Sequence, residues 1–264
     1  MTKRIAATSP QLEARAAGAL WLTCIVMSVL AFAAGSSLVV RDDAAATAAN
    51  ILANESLFRL GFTADLISGA SYVGVTALLY YVLKPAGRSL SLLAASFGLC
   101  GVAVGGVAFL CHSAPLVLLH GEQYLGAFTT SQLQVMSLFA LKLRAQFFSV
   151  GMVFFGIQCI IVGCLIVRST FLPRALGVLL ALGGSGYLFF SFANFLAPPF
   201  GARLTPFIMP IALVGEGALT AWLIMKGVNV RRWTEQAVAA TEPAARDHDA
   251  RPARRQTFLG NESN

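Results

Sequence analysis

Two acidic residues, Asp65 and Glu216, lie within long apolar stretches of this 264-residue chain. An ionisable group inside a bilayer costs about 3 kcal/mol or more, so each acid needs a partner or a water-filled cavity. Glu216 falls near the predicted bilayer midplane, where three states are open. It is a protonated acid in a hydrogen bond, the partner of a cation, or part of the lining of a wet cavity. These states span a structural role and a functional one.

Further polar side chains accompany the acids on the predicted helices. From Asp65 a polar stripe continues at steps of three or four residues to Thr76. Lipid solvates such a stripe poorly, so we expect it to face other helices, with His112, Arg144 or Asn194 as the candidate partners of Asp65 because of their similar depth. Most of these groups, Glu216 excepted, fall in the outer half of the bilayer, which predicts a polar pocket open to the outer face. The candidate ligand or pathway residues are Asp65, Tyr72, His112, Arg144, Gln158, Tyr187, Asn194 and Glu216.

His112 is the single histidine within a predicted span, since His120 and His248 lie outside the spans. It is either a neutral imidazole bonded to another helix or a ligand of a bound group. A haem iron usually takes a second axial ligand, and no second histidine is in place. Arg144 is expected near the outer interface, where its guanidinium reaches water.

Motifs for metal binding or catalysis are missing from the sequence. Its five cysteines all fall in apolar segments and form no CxxC pair, so we predict neither a metal site nor a disulfide framework. The chain has no HExxH motif and no pair of aspartates within one span. No cofactor is therefore predicted, and no catalytic residue is assigned.

Composition assigns the chain to the membrane proteins. Hydrophobic residues make up 57% of it and charged residues 12%, whereas about a quarter of a soluble domain is charged. Spanning a bilayer takes about 20 apolar residues, and six segments qualify. We predict an all-α protein with a six-helix transmembrane bundle over residues 17–225. Its spans are 17–40, 60–83, 89–119, 144–167, 175–196 and 207–225.

The first segment has a second interpretation, because Ala31-Phe32-Ala33 resembles a signal-peptidase site. The apolar run continues to Val40, however, which favours an uncleaved first helix.

The positive charges indicate the orientation of the bundle. Lys84, Arg88, Arg168, Arg174 and Lys226 flank the spans on one side, and fewer basic residues lie on the other. By the positive-inside rule both termini are cytoplasmic, in a multi-pass protein of the cell membrane. The net charge of +7 is thus a topological signal, and the predicted partner is the lipid bilayer rather than nucleic acid.

The segments outside the spans are predicted to include short helices and a disordered tail. Asp42 and Asp43 favour a short helix over 44–54, and residues 131–143 form an amphipathic pattern, which predicts helices on the outer face. Residues 1–16 form a cytoplasmic N-terminus. Residues 226–264 form a basic tail, predicted to be disordered and dispensable beyond Thr234. The Gly101/Gly105 pair is the candidate contact for a homo-oligomer, or plain packing.

Several phrases of the sequence resemble a bacterial membrane family catalogued as domain of unknown function 4386. The resemblance covers roughly residues 15–233 and implies a multi-helix membrane protein without a known activity. Asp65 and Glu216 match recurrent acids of that family. The phrases are Arg15-Ala16-Ala17-Gly18, residues 44–66 (AAATAANILANESLFRLGFTADL), Val153-Phe154-Phe155-Gly156, residues 171–177 (FLPRALG), Ser191-Phe192-Ala193-Asn194, Gly215-Glu216 and Lys226-Gly227-Val228-Asn229.

Three classes of function follow. The first is binding or transport of a small molecule, or proton-linked transport, through the outward-facing pocket, because buried acids mark such pathways. The second is a structural or regulatory membrane component without a ligand. The third is an intramembrane enzyme.

Overall fold

The computed structural model of the chain describes residues 9–120 and 123–241, without the side chains of 123, 124, 202, 204–206 and 209. This part of the chain is almost entirely helical. The helices are α1 (Pro10–Ser36), α2 (Ala44–Ala53), α3 (Glu55–Leu83), α4 (Arg88–Leu119), α5 (Thr130–Arg168), α6 (Arg174–Leu196), α7 (Pro198–Met225) and α8 (Val230–Thr241), with short 3-10 turns at Lys84–Ala86 and Gln123–Ala127.

Five of these helices, α1, α3, α4, α5 and α6, are long and apolar enough to cross a membrane. A sixth candidate combines Pro210–Met225 of α7 with α8, two segments that are bent by 103° at a short break. The prediction of an all-α membrane bundle is confirmed. The ranges differ in detail from the predicted ones: α3, α5 and α7 begin well before residues 60, 144 and 207.

The six long helices form a closed ring in chain order. Each of α3, α4, α5 and α6 packs against the next helix in the chain, and α1 packs against both α3 and α7. Helices α1, α4 and α6 begin at one end of the ring, which carries Lys84, Arg88, Arg168 and Arg174 and is called the basic end below. Side chains that point inward from six helices meet at the ring centre.

Glycines allow α5 and α6 to approach closely. A Cβ atom at Gly163 would lie 2.5 Å from the carbonyl oxygen of Gly177, and one at Gly184 would lie 2.6 Å from that of Gly156. Helix packing in lipid releases no water from apolar surface, so the hydrophobic effect does not drive it. Close van der Waals contacts of this kind stabilise the helix pair instead. Gly101 has a similar role in α4, since its Cβ position is 2.7 Å from the Phe155 ring of α5. Gly101, one half of the predicted oligomer contact, therefore packs within the chain, whereas Gly105 meets only Phe109 of its own helix.

The core of the ring is apolar in the half nearer the basic end. Trp21, Leu165, Leu219 and Leu223, each at most 1% exposed, belong to one cluster that draws on all six long helices. A smaller apolar cluster, which includes Ile51, lies at the opposite end of the ring.

Two segments at that opposite end differ from expectation. Residues 131–143, predicted as a separate surface helix, are the first part of α5, because neither Gly nor Pro interrupts the chain between Thr130 and Gly151. A capping box between Thr129 and Gln132 starts this helix. At about 58 Å, it is longer than the hydrocarbon core of a bilayer, which is about 30 Å thick. Helix α1 ends at Ser36 instead of residue 40.

The predicted short helix after α1 is present as α2. Its N-cap is Asp43, whose side chain accepts a hydrogen bond from the amide of Ala46 at 2.8 Å. The neighbouring Asp42 forms an exposed ion pair with Lys142 of α5 at 2.7 Å. This contact lowers the pKa of the Asp42 carboxyl, so the small stabilisation it gives is present at neutral pH and is lost as the pH falls through that lowered pKa.

Helix α8 contradicts part of the predicted tail, because residues 234–241 are helical and α8 is attached to the bundle. The chain turns at Gly227, whose φ of 66° lies in the left-handed region. The indole of Trp233 then donates a 2.8 Å hydrogen bond to the carbonyl of Val82. Gln236 accepts two bonds from Thr170, one from its amide at 2.9 Å and one from its hydroxyl at 3.0 Å. Residues 242–264 of the predicted tail lie outside the described residues.

We expect a chain stopped after Trp233 to be less stable than one stopped after Thr241. The shorter chain loses both bonds of Gln236, worth about 1 kcal/mol each, which corresponds to a Tm lower by roughly 4–8 °C. Thermal unfolding in detergent measures the difference. Equal Tm values for the two chains would show that α8 contributes nothing to the bundle.

Candidate functional site

Asp65 occupies a site where three helices meet. Its Oδ2 atom lies 2.6 Å from Nδ1 of His112 on α4, and it accepts a 2.9 Å hydrogen bond from Nη2 of Arg144 on α5. The His112 side chain is 1% exposed and that of Asp65 is 9% exposed. The sequence named His112, Arg144 and Asn194 as candidate partners of this acid, and the structure brings the first two to it.

Aromatic rings and a glycine hold His112 in position. Phe58 meets the imidazole edge to face with centroids 4.7 Å apart, and Phe62 does so at 6.1 Å. A Cβ atom at Gly61 would lie 3.5 Å from the imidazole and 3.1 Å from Cβ of Ala34. Helices α1, α3 and α4 therefore enclose the ring, and Arg144, at 27% side-chain exposure, is the most accessible member of this cluster.

Glu216 has different partners. Its Oε1 atom accepts a 2.8 Å hydrogen bond from the hydroxyl of Tyr187 on α6, and Oε2 accepts a longer one of 3.4 Å from the indole of Trp21 on α1. Both donors are neutral. Within residues 9–120 and 123–241, no Lys, Arg or His lies within ion-pair distance of this carboxyl. Its ligands are thus neutral, in contrast with those of Asp65.

A second polar pair lies beside Trp21. The hydroxyl of Tyr72 on α3 donates a 3.0 Å hydrogen bond to Oε1 of Gln158 on α5, and the Tyr72 ring packs edge to face on Trp21 at 6.2 Å. The amide of Gln158 lies directly on Gly98 of α4, where a Cβ atom would be 2.6 Å from it. Four helices therefore contribute to the position of this pair.

A cluster of hydroxyl and thiol groups lies between α1 and α3, one turn from Asp65 along α3. Ser68 is 2.7 Å from the hydroxyl of Ser28 and 3.3 Å from the thiol of Cys24, both on α1. Ser68 is buried, whereas Ser28 is exposed although it points toward α3. Glu216 is half-buried, although Ala212, Leu219 and Leu223 on the same face of α7 are fully buried.

Two of the polar residues singled out in the sequence have no hydrogen bond with either acid in the part of the chain that the structure describes. The Asn194 amide donates to the carbonyl of Phe190 in its own helix at 2.9 Å, and the structure does not join it to either acid. Thr76 is 2% exposed, and its hydroxyl has no hydrogen-bond partner among the described residues. It borders a small cavity that Gln158 and Ser91 also line.

Sequence reasoning missed Trp21, which bonds Glu216 and contacts Tyr72. An indole is amphipathic, and its buried N–H requires an acceptor. The amphipathic indole was the available signal, although Trp21 is only the fifth residue of the predicted first span. Ser28 and Cys24 gave no comparable signal because each reads as a small side chain for packing.

Residues 16–227 match the family described as domain of unknown function (DUF4386). The chain belongs to this family. A protein of Archaeoglobus fulgidus named "Uncharacterized protein" is 25% identical over 155 residues, which cover 59% of this chain and 76% of that protein. No solved structure matches the chain. The resemblance stated above is confirmed, and both acids lie within the matched DUF4386 region.

The chemistry of this DUF4386 site is that of proton and hydrogen-bond exchange. Among the described residues, no three His, Cys, Asp or Glu side chains are grouped so that they could hold a metal ion. The Asp65 and His112 pair resembles the orienting half of a catalytic triad, but in that same part of the chain no hydroxyl or thiol lies within hydrogen-bonding distance of His112. The pair therefore lacks a nucleophile to activate.

We expect Gly98→Ala to displace Gln158 and to break its bond with Tyr72. The added methyl group would overlap the amide, and overpacking of this kind costs about 1–3 kcal/mol. Gly106→Ala is the matched control on the same helix, because a Cβ atom there has no neighbour within 4 Å. Thermal unfolding of the two variants in detergent measures the difference. If Gly98→Ala were as stable as Gly106→Ala, Gln158 would not be fixed by this contact.

Proposed function

We propose that this DUF4386 protein binds a proton or a small cationic solute at Glu216, in a polar pocket that opens away from the basic end of the bundle. The observation that carries the proposal is a carboxyl group at the centre of an apolar ring whose only ligands among the described residues, Tyr187 and Trp21, are neutral. A carboxyl without a protein cation retains its capacity to bind a proton or a cation from outside.

The two ligands are compatible with either charge state of Glu216. An indole N–H only donates, so Trp21 fixes Oε2 as an acceptor in both states. A phenol hydroxyl donates or accepts, so Tyr187 can donate to a carboxylate oxygen or accept from a protonated one by rotating its hydrogen. Proton binding and release at Oε1 thus require no movement of heavy atoms. A carboxyl group with only a structural role would not need a partner that can both donate and accept a hydrogen bond.

The polar side chains that follow Trp21 along α1 support an opening toward the end opposite the basic end. Ser28 is seven residues beyond Trp21, or about 10 Å farther along the helix axis. Its hydroxyl lies 2.7 Å from that of Ser68 on α3. Together with Cys24, these groups form a polar wall between the ring centre and that end.

Polar groups also continue from the ring centre toward the basic end. Tyr72 bonds Gln158, and the hydroxyl of Thr76, which has no partner among the described residues, borders a gap beside Gln158 and Ser91 that is too small for a water molecule in this structure. Transport requires access from both sides in turn, and this line of residues is the candidate for the second side. The charge pattern supports a cytoplasmic location of the basic end, with both termini inside, in the cell membrane.

A structural role is the second candidate, and the Asp65 site favours it. Its Oδ2 atom contacts both His112 and Arg144, so three helices are joined by one carboxylate. A carboxylate whose charge is already paired with an arginine, and whose Oδ2 also contacts an imidazole, has less capacity left for a cationic ligand. We therefore assign Asp65 to stabilisation of the bundle and Glu216 to binding.

Infrared difference spectroscopy on the reconstituted protein tests the proposal. When external buffer is changed from acidic to alkaline, we expect the carboxyl C=O band of Glu216 to decrease and a carboxylate band to increase. Glu216→Gln removes both bands while keeping the fold, because the amide preserves volume and hydrogen bonding. Tyr187→Phe is the second variant, and it should shift the frequency of the C=O band because one hydrogen bond is lost.

Identical spectra of the wild type and Glu216→Gln would contradict the proposal. If the wild type and Glu216→Gln gave the same difference spectra across the pH change and on addition of a small cation, Glu216 would exchange neither. Glu216 would then have a structural role, as Asp65 has.

A further inference from the structure

An open cavity of about 730 Å³ lies at the basic end, between α8 and the connection from α5 to α6. Its volume falls within the range of about 300–1,000 Å³ that is usual for ligand sites. It is remote from Glu216, and the inference drawn from it is independent of the proposed function. Thr170, Arg174, Arg232, Glu235 and Gln236 are among the residues that line it.

The wall formed by α8 is fixed to the bundle by several hydrogen bonds. Gln236 accepts from both the amide and the hydroxyl of Thr170. The guanidinium of Arg232 donates to the carbonyl of Thr170 at 3.3 Å, and the amide of Asn229 donates to the carbonyl of Phe171 at 3.2 Å. The cavity is therefore built by contacts between segments far apart in the chain, and it is formed before any ligand arrives.

The charge of the lining favours an anion. Arg232 uses one of its five N–H donors on Thr170, and Arg174 is exposed with no hydrogen-bond or ion-pair partner in the part of the chain that the structure describes. The acid among the lining residues, Glu235, is paired with Arg231 at 2.9 Å. Each of these arginines has free N–H donors, and a guanidinium binds phosphate oxygens well.

The location of the cavity identifies the source of the phosphate. Thr170 lies two residues beyond the end of α5, and Arg174 is the first residue of α6, so the cavity lies where two spanning helices leave the hydrocarbon. This is the depth of phospholipid headgroups, and basic pockets at this depth bind anionic lipids. We propose that the cavity binds the phosphate headgroup of an anionic phospholipid from the adjoining leaflet, with Arg174 and Arg232 as its ligands.

Native mass spectrometry of the full chain in detergent tests this site, with phosphatidylglycerol and phosphatidylcholine of identical acyl chains as probes. We expect phosphatidylglycerol to bind about tenfold more tightly than phosphatidylcholine, and Arg174→Gln/Arg232→Gln to remove that preference. The matched control is Arg41→Gln/Arg203→Gln, which makes the same change in charge at the opposite end. It should keep the preference.

A gain-of-affinity variant guards against misfolding as an explanation. Glu235→Gln removes the negative charge from the lining and should raise the affinity for phosphatidylglycerol by about threefold. An unchanged or weaker affinity in this variant would contradict the site.

A soluble phosphate is distinguished by competition. Inorganic phosphate should leave the binding of phosphatidylglycerol unchanged, and full displacement would show that the ligand is a soluble phosphate compound. Equal binding of the two lipids to the wild type, or loss of the preference in the control variant alone, would overturn the proposal.

Discussion

A carboxylate in hydrocarbon needs partners, and the half of this bundle away from the basic end depends on the contact of Asp65 with His112 and Arg144. One oxygen atom of Asp65 joins α3 to α4 and α5. The apolar cluster near the basic end cannot hold this half of the ring, because lipid tails are as apolar as its side chains. Polar bonds and close backbone contacts between glycines therefore determine which helices become neighbours.

The two buried acids satisfy the same constraint in different ways. Asp65 has cationic or ionisable partners and is almost fully buried, so its charge is neutralised within the protein. Glu216 has one phenol and one indole and remains half-buried. The first arrangement joins three helices, and the second leaves a carboxyl group without a cationic partner among the described residues. Asp65 therefore stabilises the fold, whereas the proposed function depends on Glu216, which lies at a different depth.

Much of this architecture follows from the sequence, because hydrophobic length and the depth of polar residues are local properties. They predicted the helical class, the grouping of Asp65 with His112 and Arg144 as its candidate partners, and the N-cap at Asp43. The sequence did not predict the pairing of Tyr72 with Gln158 or that of Trp21 with Glu216. Those pairings depend on the order of helices around the ring, which no single helix encodes.

The remaining differences arise where local signals were weak. The amphipathic pattern of 131–143 suggested a surface helix, but the uninterrupted backbone from Thr130 continues into the span. The composition after Thr234 suggested disorder, yet Trp233 and Gln236 attach α8 to backbone groups at the ends of other helices. Capping of this kind satisfies carbonyl and amide groups that a helix leaves free, and composition does not report it.

Comparison of Asp65→Asn with Glu216→Gln by thermal unfolding in detergent tests the division of roles most directly. Each variant replaces a carboxyl group by its amide at nearly constant volume. The account predicts that Asp65→Asn lowers Tm by roughly 5–10 °C, because the loss of a charged partner leaves Arg144 uncompensated. It predicts that Glu216→Gln changes Tm little, because both of its neutral ligands retain a partner. A loss of stability in Glu216→Gln as large as that in Asp65→Asn would contradict the account, since both acids would then be structural.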